Sequence, residues 1–254
     1  MLLSLFFISW LGLSQVDWVD LLEIKESSDK LEQKLGDQLW EIYSREADEA
    51  SNDTILHALD TLMNSICEAN NINEEKIKLH VLQKDEVNAF AIPDGHLVIY
   101  TGLIKSVDKQ EELAGIICHE LAHIELNHVM KKLAKELGVS MLISVTTGNS
   151  VNGVAEIAKL LSSSAFDRSL EREADLQAAD YLTNANIDPE HLANFLFKMS
   201  LDGGDYTEYL SWISTHPDSK ERAEYIISAT GNEEIENSPI LADQTWQSIK
   251  NTLK

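Results

Sequence analysis

Two histidines four residues apart, with a carboxylate directly after the first, are the residues of this chain whose types and spacing best fit metal chemistry. They lie in the segment HELAH at residues 119–123. An α-helix would place His119 and His123 on one face, where both imidazoles can bind one metal ion. A catalytic zinc needs three protein ligands, and this pair supplies two. Glu120, one position round the helix, can take a proton from a water molecule that the metal activates.

A second helical segment carries carboxylates that can complete such a site. Residues 166–182 (FDRSLEREADLQAADYL) have helical spacing, and Glu171 and Asp175, four apart, share a face. Glu173 lies about 200° round the helix from Glu171. This geometry predicts Glu171 as the third zinc ligand, and Asp175 as the acceptor of a hydrogen bond that fixes the tautomer of a ligating histidine. The metzincin pattern, with a glycine and a third histidine after the pair, is excluded because leucine and valine occupy those positions.

The elements that must position these residues are mainly helices. Apolar residues spaced by three and four predict helices over residues 19–47, 53–69 and 166–182, and another that ends near residue 229. The metal-binding helix is predicted to begin at a capping Asp108, with Glu111 completing a capping box, and to end by Gly138. Residues 139–161 fit a helical hairpin, a mobile lid beside the cleft, or ordinary core packing.

A small sheet is predicted immediately before the metal-binding helix. Residues 77–82, 87–92 and 96–100 are short strand-like runs, with a Pro-Asp-Gly turn between the last two. The fold class is therefore α+β: a mainly helical, zincin-like domain with a small, largely antiparallel sheet. In zinc proteases, such a sheet offers an edge to which an extended peptide adds as a further strand. The candidate edge for substrate binding is Asn88, Ala89, Phe90 and Ala91.

Length and composition indicate one globular domain with short appendages. The chain has 254 residues, of which 44% are hydrophobic, and we assign the domain to residues 19–230 and a tail to residues 231–254. The formal net charge of −23 argues against binding to nucleic acid or to anionic lipid. The two cysteines, Cys67 and Cys118, are expected to be buried free thiols.

The first 18 residues are a possible signal peptide. Residues 1–13 are almost entirely apolar and a polar run follows, as in the hydrophobic region of a secretory signal. The run is too short to span a bilayer. Export to the periplasm or to the outer side of a membrane is the preferred interpretation. The alternative is an N-terminal hydrophobic helix that packs on the domain of a cytoplasmic protein.

The motifs together resemble the HtpX and CAAX-prenyl-protease family of zinc endopeptidases. The resemblance spans residues 53–228 and rests on five runs in a fixed order: NAFAIP with GH, GLI, LAGI leading into HELAH, EREAD, and THP. Because no transmembrane helix is visible, the chain is most similar to the soluble envelope members of the BepA and LoiP type. The resemblance implies a peptidase with one zinc ion per chain, acting on unfolded or misfolded polypeptides in envelope protein quality control. It also implies that His216 approaches the metal, as a fourth ligand at rest or as support for the transition state, and that Arg222 lies near the site.

A binding protein is the competing function. A zinc-stabilised chaperone or adaptor would hold unfolded chains in the same groove without cleaving them. Such a protein has no need of a carboxylate between its ligands, so Glu120 favours proteolysis.

Overall fold

The structure is a computed structural model that describes residues 24–148, 151–201, 210–230, 235 and 239–253. The predicted signal peptide, residues 1–18, lies outside this part of the chain. In the described ranges, no helix is both long enough and apolar enough to cross a membrane. The helices are α1 Ile24–Tyr43, α2 Asp53–Asn70, α3 Thr101–Ser106, α4 Gln110–Glu125, α5 His128–Leu137, α6 Val139–Thr147, α7 Val151–Ser163, α8 Arg168–Asn184, α9 Glu190–Leu201, α10 Leu210–Thr215, α11 Ser219–Thr230 and α12 Asp243–Thr252.

A three-stranded mixed sheet lies between α2 and α3 in the chain. The strands are β1 (Lys78–Leu82), β2 (Ala89–Ile92) and β3 (His96–Tyr100), and their order in the sheet is β1-β3-β2. β3 pairs with β2 in antiparallel and with β1 in parallel orientation. Asp94 and Gly95 join β2 to β3 with φ angles of 66° and 71°, which is the backbone of a tight hairpin turn. The predicted α+β class is confirmed, but the sheet is mixed and not largely antiparallel, because β1 runs parallel to β3. β2 is an edge strand.

Helix α4 is the centre of the main core. Its residues from Gln110 to His123 are almost all buried, and it contacts α8, α9, α2 and β2. The prediction of one helix from Asp108 to Gly138 is wrong. The chain turns at Asn127, which adopts a left-handed φ of 54°, so α4 ends at Glu125 and α5 starts a new direction. Asparagine tolerates this conformation better than most residues do.

The start of α4 also differs from the prediction. Lys109 is the N-cap residue, and its side chain makes no capping hydrogen bond. The side chain of Glu112, one position after the predicted Glu111, accepts a hydrogen bond of 2.7 Å from the backbone N–H of Asp108. The predicted capping box with Asp108 as the cap is therefore wrong, because the returning carboxylate comes from the next residue.

In the predicted 139–161 segment, helices α6 and α7 pack on α1. Leu142 and Val145 of α6, and Ile157 and Leu161 of α7, are buried in a second hydrophobic cluster together with Leu35 of α1. This agrees with a helical hairpin that contributes to the core. Packing accounts for these buried residues, whereas Val139, Met141 and Ile143 of α6 are exposed.

The C-terminal helix α12 is part of the same body. Trp246 and Ile249 are buried in the main core. Upstream of the helix, the side chain of Gln110 exchanges two hydrogen bonds with the backbone of Leu241, at 2.7 and 2.8 Å. The described part of the 231–254 segment therefore packs against the start of α4.

Candidate metal centre

Helices α4 and α8 bring the three predicted ligands together. His119 and His123 lie one turn apart, and their Nε2 atoms are 3.0 Å from each other. From α8, the Glu171 carboxylate approaches these atoms at 3.8 Å for His119 and 3.3 Å for His123. The buried face of α8 also carries Ala174 and Ala178, whose small side chains let the two helices approach closely. All three predicted ligands are at most 2% exposed.

His216 joins this group from the segment after α10. One ligand atom from each of His119, His123, Glu171 and His216 lies within 4.8 Å of the others. Oε1 of Glu171 and Nε2 of His216 are buried without a hydrogen-bond partner among the described residues. Unpartnered buried polar atoms are costly, and a metal ion held by all four residues would satisfy them. The donor set of imidazole nitrogens and one carboxylate suits zinc.

Burial favours the neutral, metal-binding form of the three imidazoles. It lowers the pKa of His119, and it lowers the pKa of His123 and His216 well below the ordinary value. Neighbouring charges and rings add to this effect, although the Asp175 carboxylate opposes it at His119. A neutral ring keeps one nitrogen lone pair free for a metal.

Asp175 and Arg222 form a buried ionic network behind the ligands. The Asp175 carboxylate lies 2.9 Å from Nδ1 of His119, as predicted for a residue that fixes the tautomer of that ring. Arg222 on α11 donates to both oxygens of Asp175, at 2.7 and 2.8 Å, and its Nη1 lies 2.5 Å from Oε2 of Glu171. Tyr225, one turn further, donates its hydroxyl to Asp175. Burial alone would raise the pKa of Asp175, but Arg222 and His119 outweigh it and hold that pKa far below the ordinary value.

Glu120 points to the other side of the cluster. Its Oε2 accepts a hydrogen bond of 3.0 Å from the backbone N–H of Ala91 on β2, and its Oε1 lies 3.5 Å from Nε2 of His216. Burial raises the pKa of Glu120 well above the ordinary value, and the nearby Glu171 carboxylate raises it further. A raised pKa suits a carboxylate that must accept a proton and later release it.

His128 and Glu173 lie on the far side of His123. The Nδ1 atoms of His128 and His123 are 3.0 Å apart, and Nε2 of His128 lies 3.3 Å from Glu173. The Glu173 side chain is 51% exposed, so it lies outside the buried group that includes Glu171. His128 therefore contacts the predicted ligand His123 at Nδ1, while Nε2 of His123 faces His119.

Two aromatic residues at the site escaped the sequence analysis. Trp212 stacks on His216 with ring centroids 4.1 Å apart, and Phe166 lies 4.3 Å from the ring of His123. The backbone N–H of Phe166 donates to the carbonyl of Thr215, which ties the start of the α8 segment to the segment that carries His216. The sequence carries one signal for Trp212: it precedes His216 by four residues, which is about one helical turn.

The candidate substrate edge borders both the metal centre and a cleft. The backbone N–H of Tyr100 on β3 donates to the carbonyl of Asn88. In an antiparallel pair, the backbone groups of every second residue face the partner strand, so those of Asn88 and Phe90 face β3 and those of Ala89 and Ala91 point away from it. Beside this edge lies a cleft of about 260 Å³, which we call the aromatic cleft. Its lining includes Tyr43, Phe90, Ala91, Tyr100, Leu161, Phe166 and His216.

Comparisons with known proteins agree with these features. Residues 56–230 match peptidase family M48. Metalloprotease LoiP of Escherichia coli (strain K12) is 30% identical over 208 residues, which cover 78% of this chain and 80% of LoiP. Mitochondrial metalloendopeptidase OMA1 of Arabidopsis thaliana is 32% identical over 166 residues, or 63% of this chain and 33% of that protein. The beta-barrel assembly-enhancing protease of Yersinia pestis is 26% identical over 176 residues, or 63% of this chain and 35% of that protein. The chain thus spans most of LoiP but about a third of the other two relatives.

Proposed function

Because the chain belongs to peptidase family M48 and is a zinc-dependent metalloendopeptidase, we propose that it cleaves unfolded or misfolded polypeptides with Glu120 as the general base. This family is the one that the sequence motifs resemble. The observation that carries the proposal is the buried convergence of His119, His123, Glu171 and His216, with Glu120 directly beside them.

We assign one zinc ion per chain to this group, with His119, His123 and Glu171 as its protein ligands. When bound, zinc supplies a Lewis acid that lowers the pKa of a water molecule to about 7 and polarises the scissile carbonyl. Asp175 orients the ring of His119 through its Nδ1. Arg222 joins Asp175 to Glu171, so that one cation positions both carboxylates.

Glu120 performs the proton transfers. It accepts a proton from the attacking water and passes it to the leaving amine, and a general base of this kind contributes about 100- to 10,000-fold to the rate. The hydrogen bond from Ala91 N–H holds one carboxylate oxygen in place. The other oxygen, Oε1, has no hydrogen-bond partner among the described residues and is the atom that accepts the proton.

His216 can act in either of two ways, which differ in the tautomer of its ring. Its Nδ1 lies 2.9 Å from the hydroxyl of Thr215, and this hydroxyl also lies 3.1 Å from the carbonyl of Trp212. If the hydroxyl donates to the carbonyl, Nδ1 carries the proton and Nε2 is free as a fourth metal ligand. If it donates to Nδ1, Nε2 carries the proton and can donate to the developing oxyanion, which is worth about 3 kcal/mol.

The substrate strand is assigned to the outer edge of β2. A peptide that adds there would pair with the outward N–H and carbonyl of Ala89 and with the carbonyl of Ala91, whose N–H is already bound to Glu120. Its scissile bond would then pass Glu120, because Ala91 and Glu120 share a hydrogen bond. The side chains of Asn88 and Phe90 line the neighbouring aromatic cleft and would contact the side chains of the peptide.

We place this activity in protein quality control of the cell envelope, after export to the periplasm or to the outer side of a membrane. The name of the relative from Yersinia pestis, a beta-barrel assembly-enhancing protease, supports a role near envelope proteins. Sequencing the N-terminus of the mature protein tests export, since removal of residues 1–18 is expected.

The exchange Glu120→Gln tests the general base. The amide oxygen can still accept from Ala91 N–H, so we expect near-stoichiometric zinc and an intact fold. Cleavage of casein should fall about 100-fold or more. Undiminished cleavage would disprove the mechanism. If the protein is instead a zinc-stabilised chaperone or adaptor, the wild type should not cleave casein. Wild type and Glu120→Gln should then bind the unfolded chain equally well.

A matched pair of variants tests the third ligand. Glu171→Ala should lose zinc in metal analysis, because this carboxylate lies against both histidines of the HELAH segment. Glu173→Ala removes a carboxylate on the same helix that points to His128 and to solvent, and it should retain zinc. The reverse result would show that the wrong carboxylate was assigned.

A further inference from the structure

The outer end of the aromatic cleft carries charged groups that no step of the proposed hydrolysis uses. The inner end of the cleft meets Ala91 and His216 at the metal centre. The outer end is lined by Glu46, which follows α1, and by Lys84 and Glu86 of the loop between β1 and β2. A side chain of a peptide on β2 that enters the cleft can therefore contact both its aromatic walls and these charges.

Negative charge is in excess at this end. The ammonium of Lys84 lies 2.9 Å from Glu86 and 3.6 Å from Glu46, and 4.6 Å from the ring centroid of Tyr100. Burial alone would raise the pKa of Glu86, but hydrogen bonds from Ser211 and Lys84 outweigh it and lower that pKa. One ammonium thus faces two carboxylates. Their side chains are 33 to 44% exposed, so a further cation can reach them.

An unpaired acceptor in the wall of the cleft also indicates a donor ligand. Asn88 is only 6% exposed, and its Nδ2 donates to the hydroxyl of Ser211. Its Oδ1 is buried and accepts no hydrogen bond from any residue that the structure describes. A buried carbonyl oxygen left in this way is costly, so a ligand with N–H groups would be stabilised there.

We propose that the aromatic cleft is a specificity pocket that selects a long basic side chain, arginine or lysine, of the substrate through Glu46 and Glu86. The proposal rests on the proposed peptidase function. The aromatic walls contact the aliphatic stem of the side chain and the faces of a guanidinium, as Tyr100 already does for Lys84. The carboxylates accept hydrogen bonds from its charged end. An acidic side chain would meet like charge and be rejected.

Cleavage-site mapping on a denatured protein mixture tests this preference. The zinc-loaded enzyme is incubated with the mixture, and the new termini are identified by mass spectrometry. At one fixed position relative to the scissile bond, arginine and lysine should exceed aspartate and glutamate by about tenfold, the lower range of what one pocket achieves. The matched variants are Glu86→Gln, Lys84→Gln and, as a control, Asp48→Asn, which removes an exposed charge outside the cleft.

The variants should move the preference in opposite directions. Glu86→Gln should reduce it to about threefold, Lys84→Gln should increase it, and Asp48→Asn should leave it unchanged. Equal cleavage beside basic and acidic residues by the wild type, or an equal shift in Asp48→Asn and Glu86→Gln, would overturn the pocket assignment and leave the peptidase function intact. Absence of any cleavage in the zinc-loaded protein would overturn the proposed function and the pocket with it.

Discussion

Replacing Asp175 by asparagine should weaken both zinc binding and the fold. The carboxylate accepts hydrogen bonds from His119 and Tyr225 and two from Arg222. Asparagine has nearly the same shape but no charge, and its amide nitrogen would face the donor groups of Arg222. The exchange therefore removes the charge from a buried site while leaving the packing almost unchanged.

The magnitude follows from the partners that lose their acceptor. Residues that orient a metal-bound histidine typically contribute 10- to 100-fold to metal affinity, or about 1.4 to 2.8 kcal/mol. Removal of one member of a buried ion pair costs about 3 to 5 kcal/mol. Arg222 retains Glu171 as a partner, so we expect the lower value, about 3 kcal/mol, for the zinc-free protein. Arg222 will also compete more strongly with the metal for Glu171.

The assay measures the two losses separately. Zinc affinity is obtained by competition with a chelator, and the free energy of unfolding by urea titration with and without zinc. Asp180→Asn, an exposed position on the same helix, is the control and should match the wild type in both. Wild-type zinc affinity together with wild-type stability in Asp175→Asn would refute the reasoning. A lower free energy of unfolding with unchanged zinc affinity would show that Asp175 pairs with Arg222 but does not orient His119 for the metal.

Two further predictions concern the framework. Burial lowers the pKa of both His80 and His96 to about 4. Between pH 4 and 6.5 the unfolded chain therefore binds more protons than the folded chain does. The folded state has its full stability from this pair above pH 6.5 and loses it as the pH falls toward 4. After allowance for partial solvent screening, this pair should contribute about 2 kcal/mol to the loss of stability that urea titration shows between pH 7 and pH 5, and the loss should shrink in His80→Asn but not in the exposed control His57→Asn. Gly115→Ala would place a Cβ atom 2.9 Å from Cβ and 3.2 Å from Cα of Leu192, so we expect a loss of about 1 to 2 kcal/mol by the same titration; unchanged stability would show that α4 and α9 can move apart.

Helical phase predicted which side chains of the two helices would face the candidate site, whereas His216 and Arg222 came from the family resemblance. The spacing of His119 to His123, and of Glu171 to Asp175, fixes which side chains share a face, and this local geometry does not depend on the rest of the fold. The choice of Glu171 over Glu173 used the same argument, and the structure places the two carboxylates on different sides of α8. Periodicity likewise predicted the small sheet, helices α1, α2 and α8 and the end of α11 to within a few residues.

Features that depend on distant contacts could not be predicted in this way. The left-handed turn at Asn127, which separates α4 from α5, is not distinguished locally from the many asparagines found within helices. The parallel pairing of β1 with β3 requires the chain to pass from one edge of the sheet to the other, and the strand pattern alone does not specify strand order. Phe166 reaches the site because its backbone binds Thr215, a contact across 49 positions of the chain that no spacing indicates.

The hydrogen bond from Ala91 to Glu120 connects the two halves of the proposed mechanism. In the sequence, the candidate substrate strand and the candidate base are 29 positions apart and are argued from unrelated patterns. In the fold, the outward N–H of the edge strand is the donor that holds the carboxylate. A peptide added to β2 is therefore aligned with Glu120 by the same backbone that positions Glu120. A shift of β2 by one residue would turn the N–H of Ala91 toward β3, so the register between β2 and β3 determines both substrate alignment and the position of the base.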